Sequence, residues 1–304
     1  MTKARSMITT GVILALVPFL AAPVERSYVS GNFSVDIADA GSFMVKSIAG
    51  GSLYATPTVR GQRQDKYPNK EPGQIKCEDL TLQTGFWAPK GLWDWVGAFA
   101  SPETPAARRV TVAEMDYNFV EKSRRAFDGA ALSQVVIPAC DGASKEPAYA
   151  TITLTPASVR EIAPPAGAKP AQLPSTQTKT WLPSNFRLTI DGLVTTRVNK
   201  IDAITIKRSG STPEYSNLSI SLADVDADSW KQWAAQFFAA GGKGLEKRGK
   251  LELLNPSRTE VLMTLNFDGL GVIAVGPEKA EANADQIKRF RAELYVEKIT
   301  FGAK

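Results

Sequence analysis

Asn32-Phe33-Ser34-Val35-Asp36-Ile37 in the first half of the chain and Asn185-Phe186-Arg187-Leu188-Thr189-Ile190-Asp191-Gly192 in the second are variants of one phrase. Each alternates apolar and polar residues with the period of two that marks a half-buried strand. Two further anchors follow in the same order. Leu92-Trp93-Asp94-Trp95 is answered by Ser229-Trp230-Lys231-Gln232-Trp233, and Phe127-Asp128-Gly129-Ala130 by Phe267-Asp268-Gly269-Leu270. The interval from Phe33 to Trp93 exceeds that from Phe186 to Trp230, and the surplus falls in residues 55–73, a polar stretch rich in Pro and Gly where insertion is cheap. The chain therefore reads as one domain written twice.

Working outward, the first copy spans 24–160, with strands expected at 33–37, 43–48, 75–83, 110–117, 125–137 and 148–154. Its one helix is expected at 90–99, where Leu92, Trp95, Val96 and Phe99 fall three and four apart and Pro102 follows the end. Residues 161–183 change character, with Pro164, Pro165, Pro170 and Pro174 among small polar residues, the composition of a semi-rigid linker. The second copy spans 184–304, with strands at 186–190, 203–207, 218–222, 250–254, 261–267, 271–275 and 291–301. Its helix, 229–240, carries Trp230, Trp233, Ala234 and Phe237 on one stripe and stops at Gly241-Gly242. The fold class is α+β, mainly β: two small barrel or sandwich domains, each with one amphipathic helix.

Length and composition agree with two ordinary domains, since 304 residues at 43% apolar content can bury two cores. The net charge of +5 does not announce a nucleic-acid binder. Arg108, Arg109, Lys122, Arg124 and Arg125 would form a basic stripe on paired strands, and a solvated strand face explains them better. Histidine is absent from the sequence, which removes the usual general base, the Ser/His and Cys/His dyads and the commonest metal ligand.

The segment 1–22 has Lys3 and Arg5 ahead of an apolar run over 7–20, the layout of a secretory signal, too short for a membrane span. Its cleavage site is poor, with Pro23 after Ala22. A working signal, a hydrophobic arm packing on a neighbouring subunit and a start assigned too early all stay open. On export, Cys77 and Cys140 could pair, and closing that loop would stabilise the fold by about 4 kcal/mol. In a reducing compartment both would be buried thiols.

Chemistry-bearing constellations are weak. Asp224, Asp226 and Asp228 follow the opening alternation of a calcium loop, but Ser229 stands where glycine is needed and Ala235 where a bidentate carboxylate is needed. Asp228 as helix N-cap accounts for the cluster. Gly241-Gly242-Lys243-Gly244 follows a helix instead of preceding one, so it is a terminating turn and not a phosphate loop. Asp128 and Asp268 sit before glycines at matching positions, as a turn or bulge requires, and no carboxylate pair is singled out for glycoside hydrolysis. No catalytic residue, metal or cofactor is expected.

The residues 33–37, Val45-Lys46-Ser47-Ile48-Ala49-Gly50-Gly51, Ile75-Lys76-Cys77-Glu78-Asp79-Leu80-Thr81-Leu82, Leu92-Trp93-Asp94-Trp95 and the region 127–144 resemble the tail tube proteins of contractile-tailed bacteriophages and related contractile injection systems. The second half resembles a more diverged copy. The resemblance implies a β-barrel subunit with one helix that joins edge to edge into rings with a continuous inner barrel, stacked as a tube. It implies a structural, non-enzymatic role in a phage-like tail or injection particle, with sheath, baseplate or terminator proteins as partners. Two fused domains imply a trimer with pseudo-sixfold symmetry. The long polar segment 55–73, with Arg60, Arg63, Lys66 and Lys70, is the expected bridge between stacked rings. The alternative is an exported binding module, periplasmic or secreted, that reuses the same fold.

Overall fold

The computed structural model describes residues 31–164, 180–242, 244–279 and 287–302. The expected leader 1–22 and the Pro-rich centre of the linker lie outside these. The first half contains β1 (Asn32–Ile37), β2 (Gly41–Val45), β3 (Ser47–Gly50), β4 (Leu53–Gln62), β5 (Pro68–Cys77), β6 (Leu80–Thr84), α1 (Lys90–Phe99), β7 (Arg108–Met115), β8 (Glu121–Ile137), β9 (Cys140–Asp141), β10 (Ala150–Thr155) and β11 (Ser158–Ile162). The second contains β12 (Phe186–Ile190), β13 (Val198–Ile201), β14 (Ile204–Ser209), β15 (Thr212–Tyr215), β16 (Leu218–Ala223), a 3₁₀ turn (Asp224–Asp226), α2 (Asp228–Ala239), β17 (Lys247–Leu254), β18 (Val261–Pro277) and β19 (Arg289–Gly302). The fold is mainly β, with a curled half-barrel sheet and two α-helices among the described residues.

The two large sheets share a run of six strands, β1-β7-β8-β10-β6-β3 against β12-β17-β18-β19-β16-β13, with β2 added at one end of the first and β9 at the opposite end of the second. The correspondence extends to irregularities. β8 and β18 have the same length, and β7 and β17 each shift register opposite Phe127 to Ala130 and Phe267 to Leu270. At those shifts Gly129 and Gly269 adopt φ of 61° and 64°, a left-handed geometry that costs other residues about 1–2 kcal/mol. The Asp-Gly pairs are thus bulges inside continuous strands, which is why the separate strands expected at 261–267 and 271–275 are one.

The helices match their expected stripes. Leu92, Trp95, Val96 and Phe99 are buried on α1, as are Trp230, Trp233, Ala234 and Phe237 on α2. Fully burying one such large apolar side chain contributes about 1.5–3 kcal/mol. Trp95 donates its indole N–H to the Ala106 carbonyl at 3.1 Å and Trp233 to that of Leu245 at 2.8 Å. These two tryptophans therefore correspond. Trp93, expected to match Trp230, does not, because it turns the other way and stacks on Phe86 and Phe301. Gly242 donates to the Phe237 carbonyl at 2.8 Å and closes α2 as expected.

Several expectations are corrected. Asp228 is not an N-cap: α2 starts at Asp228 itself, its N-cap is Ala227, and no side chain caps it. The expected strands 43–48 and 75–83 are each broken in two, by Lys46 and by Glu78-Asp79. The polar stretch 55–73 is not an irregular loop; it forms most of a long β4–β5 hairpin, which pairs as its own two-stranded sheet. Strong exposure on both faces leaves this hairpin without the alternation that marks a strand. The ends of the linker are ordered. Glu161 and Ile162 complete β11, and Trp181 is fully buried edge-on against Phe86.

The two halves share one hydrophobic core, running from Val35 to Ile299. Backbone also crosses between them. β14 of the second half pairs antiparallel with β8 of the first, and β9 of the first pairs with β13 of the second.

Candidate assembly interface

The junction between halves shows how this fold closes an open strand edge. β8 pairs with β7 only as far as Ala130; beyond that its edge would be bare. Ile204, Thr205, Ile206 and Lys207 of β14 fill it, opposite Ile137, Val136, Val135 and Gln134. Ile206 and Val135 are fully buried as a result. A cross-strand apolar pair of this kind fixes register because a one-residue slip would turn its side chains to the other face.

The β14–β15 hairpin also grips the C-terminus of α1. Arg208 donates from Nη1 to the carbonyls of Phe99 at 3.0 Å, Ser101 at 2.8 Å and Glu103 at 2.9 Å, and its guanidinium lies over the Phe99 ring. The Tyr215 hydroxyl donates to the Ala100 carbonyl at 2.6 Å. A cation here meets both the orphan carbonyls and the negative end of the helix dipole. Burial pushes the Tyr215 hydroxyl above its ordinary ionisation range, so it stays a donor.

The corresponding edge in the second half has no occupant among the described residues. β18 pairs with β17 only as far as Leu270, and its last residues pair only with β19. β4–β5, the hairpin at the same place in the strand order as β14–β15, meets neither large sheet in a ladder. Its residues include five exposed large apolar side chains, Leu53, Tyr54, Val59, Tyr67 and Ile75.

The four basic residues expected at an inter-ring bridge are all on this hairpin. Arg60 pairs with Glu71 at 2.8 Å across the strands, and Arg63 with Asp65 at 3.7 Å in the turn. Lys66 occupies the turn with φ of 67°, and Lys70 lies opposite Val59. All four therefore lie in the half of the hairpin nearer its turn.

The remaining sequence candidates resolve into ion pairs. Arg109 and Arg160 hold Asp128 at 2.6 and 3.2 Å, and their hydrogen bonds, Arg109 first, keep its carboxyl below the usual range. Asp268 pairs with Arg248 at 3.1 Å. In the basic stripe, Lys122 pairs with Asp116, Arg124 with Glu121 and Arg125 with Glu114, while Arg108 lies over the Trp95 ring. The stripe is thus a strand face neutralised locally. Asp224 takes Lys288 at 3.0 Å, which holds its carboxyl low, and Asp226 takes Arg197 at 2.6 Å. Among the described residues no three His, Cys, Asp or Glu side chains converge as a metal site would need.

Cys77, half-buried, and Cys140, buried, are free thiols on different sheets. Burial pushes both ionisations up. The junction residues Ile206, Arg208 and Tyr215 went unrecognised in the sequence, where only strand 203–207 is legible, because the partner edge lies some seventy residues away in the chain.

No family model and no curated protein matches the chain. It is similar to solved components of contractile injection systems. One is from the sheath-tube complex of an extracellular contractile injection system in the extended state, at 19% identity over 46% of this chain and 94% of that one, with a TM-score of 0.40. Another is from the structure of the anti-feeding prophage cap, which terminates the tube, at 17% identity over 47% and 95%, with a TM-score of 0.41. A third is from the sheath/tube terminator of the extracellular system, at 19% identity over 46% and 99%, with a TM-score of 0.39.

Proposed function

We propose that the chain is a non-catalytic structural subunit of a phage-like tail or contractile injection particle, one that associates edge to edge into rings and stacks them as a tube. The observation that carries this is the β14–β8 ladder, in which one half closes the open edge of the other by main-chain pairing. An exposed edge invites uncontrolled association, and closing it with a neighbouring subunit turns that liability into a defined interface. Two tube-like domains per chain let three chains supply six, so the ring is a trimer of pseudo-sixfold symmetry.

Within this reading the outer part of the β4–β5 hairpin, with Arg60, Arg63, Lys66 and Lys70, reaches toward the next ring. Ten residues of strand at about 3.3 Å each give it a reach of about 30 Å. Sheath, baseplate or terminator proteins are the partners at the tube surface and ends.

The test is electron microscopy with native mass spectrometry of the protein lacking residues 1–22. Rings or tubes with chain numbers in multiples of three are the expected result. Rings of six chains would keep the assembly and overturn the fused-domain geometry, whereas a monodisperse monomer at all concentrations would overturn the assembly itself.

A further inference from the structure

Resting on the ring reading above, we infer that neighbouring copies are joined by β-strand addition: Leu53 and Tyr54 at the start of β4 in one copy pair antiparallel with Val275 and Ala274 of β18 in the next, Leu53 opposite Val275. The register follows from correspondences between the two sheets. On β8, Ser133 is bypassed between the pairs Gln134–Thr153 and Leu132–Leu154; on β18, Ile273 is bypassed between Ala274–Glu293 and Val272–Leu294. Val135 and Val275 therefore hold the same place.

On the donor side, Ile48 lies opposite Leu82 as Ile201 lies opposite Ile220, and those two residues lie opposite Ile152 and Ala292. Leu53 follows Ile48 by the same interval as Ile206 follows Ile201. Leu53 faces Cys77 across its hairpin as Ile206 faces Tyr215. Since Ile206 sits opposite Val135, Leu53 belongs opposite a Val275 that its own chain does not offer it.

Exposure points to the same surfaces. Ile206 is 0% exposed, whereas Leu53 is 59%, Tyr54 50% and Ile75 66% exposed. On the accepting side Ile273 is 42% exposed, and Val275 is half-buried where Val135 is fully covered. By the Trp95–Trp233 correspondence, Phe238 stands where Ala100 receives Tyr215, and it is 53% exposed. Ala55 takes the place of Arg208, so the junction between copies is apolar where the junction within a chain is polar. Each copy donates one hairpin and accepts one; such a head-to-tail contact builds closed rings when its rotation permits, and not two-fold dimers.

The experiment uses the protein lacking residues 1–22 in a Cys77→Ser background. Directly opposed residues on paired strands have Cβ atoms about 4.5–5.5 Å apart, and the near end of that range meets the upper limit of about 4.5 Å for a disulfide, so a small backbone shift closes the bond. Oxidising the Leu53→Cys/Val275→Cys double variant should give a ladder of covalent multimers on non-reducing gels, while Val59→Cys/Val275→Cys, with its cysteine six residues farther along the hairpin, should stay monomeric. Leu53→Asp should raise the concentration for half-assembly at least about tenfold with the monomer's melting curve unchanged, and Val59→Asp should not. Rings that form without the Leu53–Val275 cross-link, or that cross-link equally through Val59, overturn this contact and leave the ring reading standing. A parent protein that never associates overturns both.

Discussion

Ile206 of β14 lies directly opposite Val135 of β8, and both side chains are sealed from solvent although they come from different halves of the chain. Nothing local brings the two together, since they stand about seventy residues apart in sequence. The pairing instead satisfies a strand edge that the first half cannot close alone. Ile206→Ala removes a fully buried side chain and should destabilise the protein by about 2–5 kcal/mol in urea unfolding. Substituting Leu53 by Ala, its exposed counterpart, should change monomer stability by less than about 0.5 kcal/mol.

Arg208 should prove more than a surface cation. Arg208→Ala leaves the carbonyls at the end of α1 without their charged donor and should cost about 1.5–3 kcal/mol, read as a shift in the denaturation midpoint. Arg208→Lys should recover only part of this, since one ammonium cannot reproduce the fork that also reaches Thr104 and Ser211.

At the bulge in β8, Gly129→Ala is expected to destabilise by about 1–2 kcal/mol, because φ is 61° there and the added methyl would press on the Cβ of Ala157 at 3.0 Å. Gly210 shares the backbone geometry but faces open space, so Gly210→Asn should be nearly neutral by the same unfolding measurement.

Acid should weaken the fold in a defined direction. Asp128, held low first by Arg109 and then by Arg160, and Asp224, held low by Lys288, ionise more readily folded than unfolded. Their stabilisation is present above the ordinary carboxylate value of about 3.9 and is lost as pH falls through the lower folded value. Melting temperature should be flat from about pH 7 to 5 and fall below about 4, and Asp128→Asn should fall less steeply in that window.

Thiol titration should distinguish the two cysteines. Cys77, half-buried and exposed to opposing influences from burial and Arg125, should react slowly with an aromatic disulfide reagent in the native protein. Cys140 should react only after unfolding. A native protein in which neither thiol reacts even when denatured without reductant would instead mean that the two are paired.

The sequence by itself determined what local periodicity encodes. The alternation in Phe33 to Ile37 and Phe186 to Ile190 placed β1 and β12, and the three-four spacing of Leu92, Trp95, Val96 and Phe99 placed α1 to the residue. Such signals are strong because each element buries one face. Tertiary structure alone decided the rest. β4–β5 buries neither face, so nothing in its pattern distinguishes a hairpin from a polar loop, and β13 and β15 are too short for periodicity to register. That Trp95 rather than Trp93 repeats in Trp233 became visible only through the carbonyls their indoles reach. The candidate interface depended most on the fold. Whether an edge is open is a property of what lies beside it, and main-chain donors and acceptors are nearly the same in every residue, so no side-chain pattern could report that β8 is closed by β14 while β18 has no such partner among the described residues.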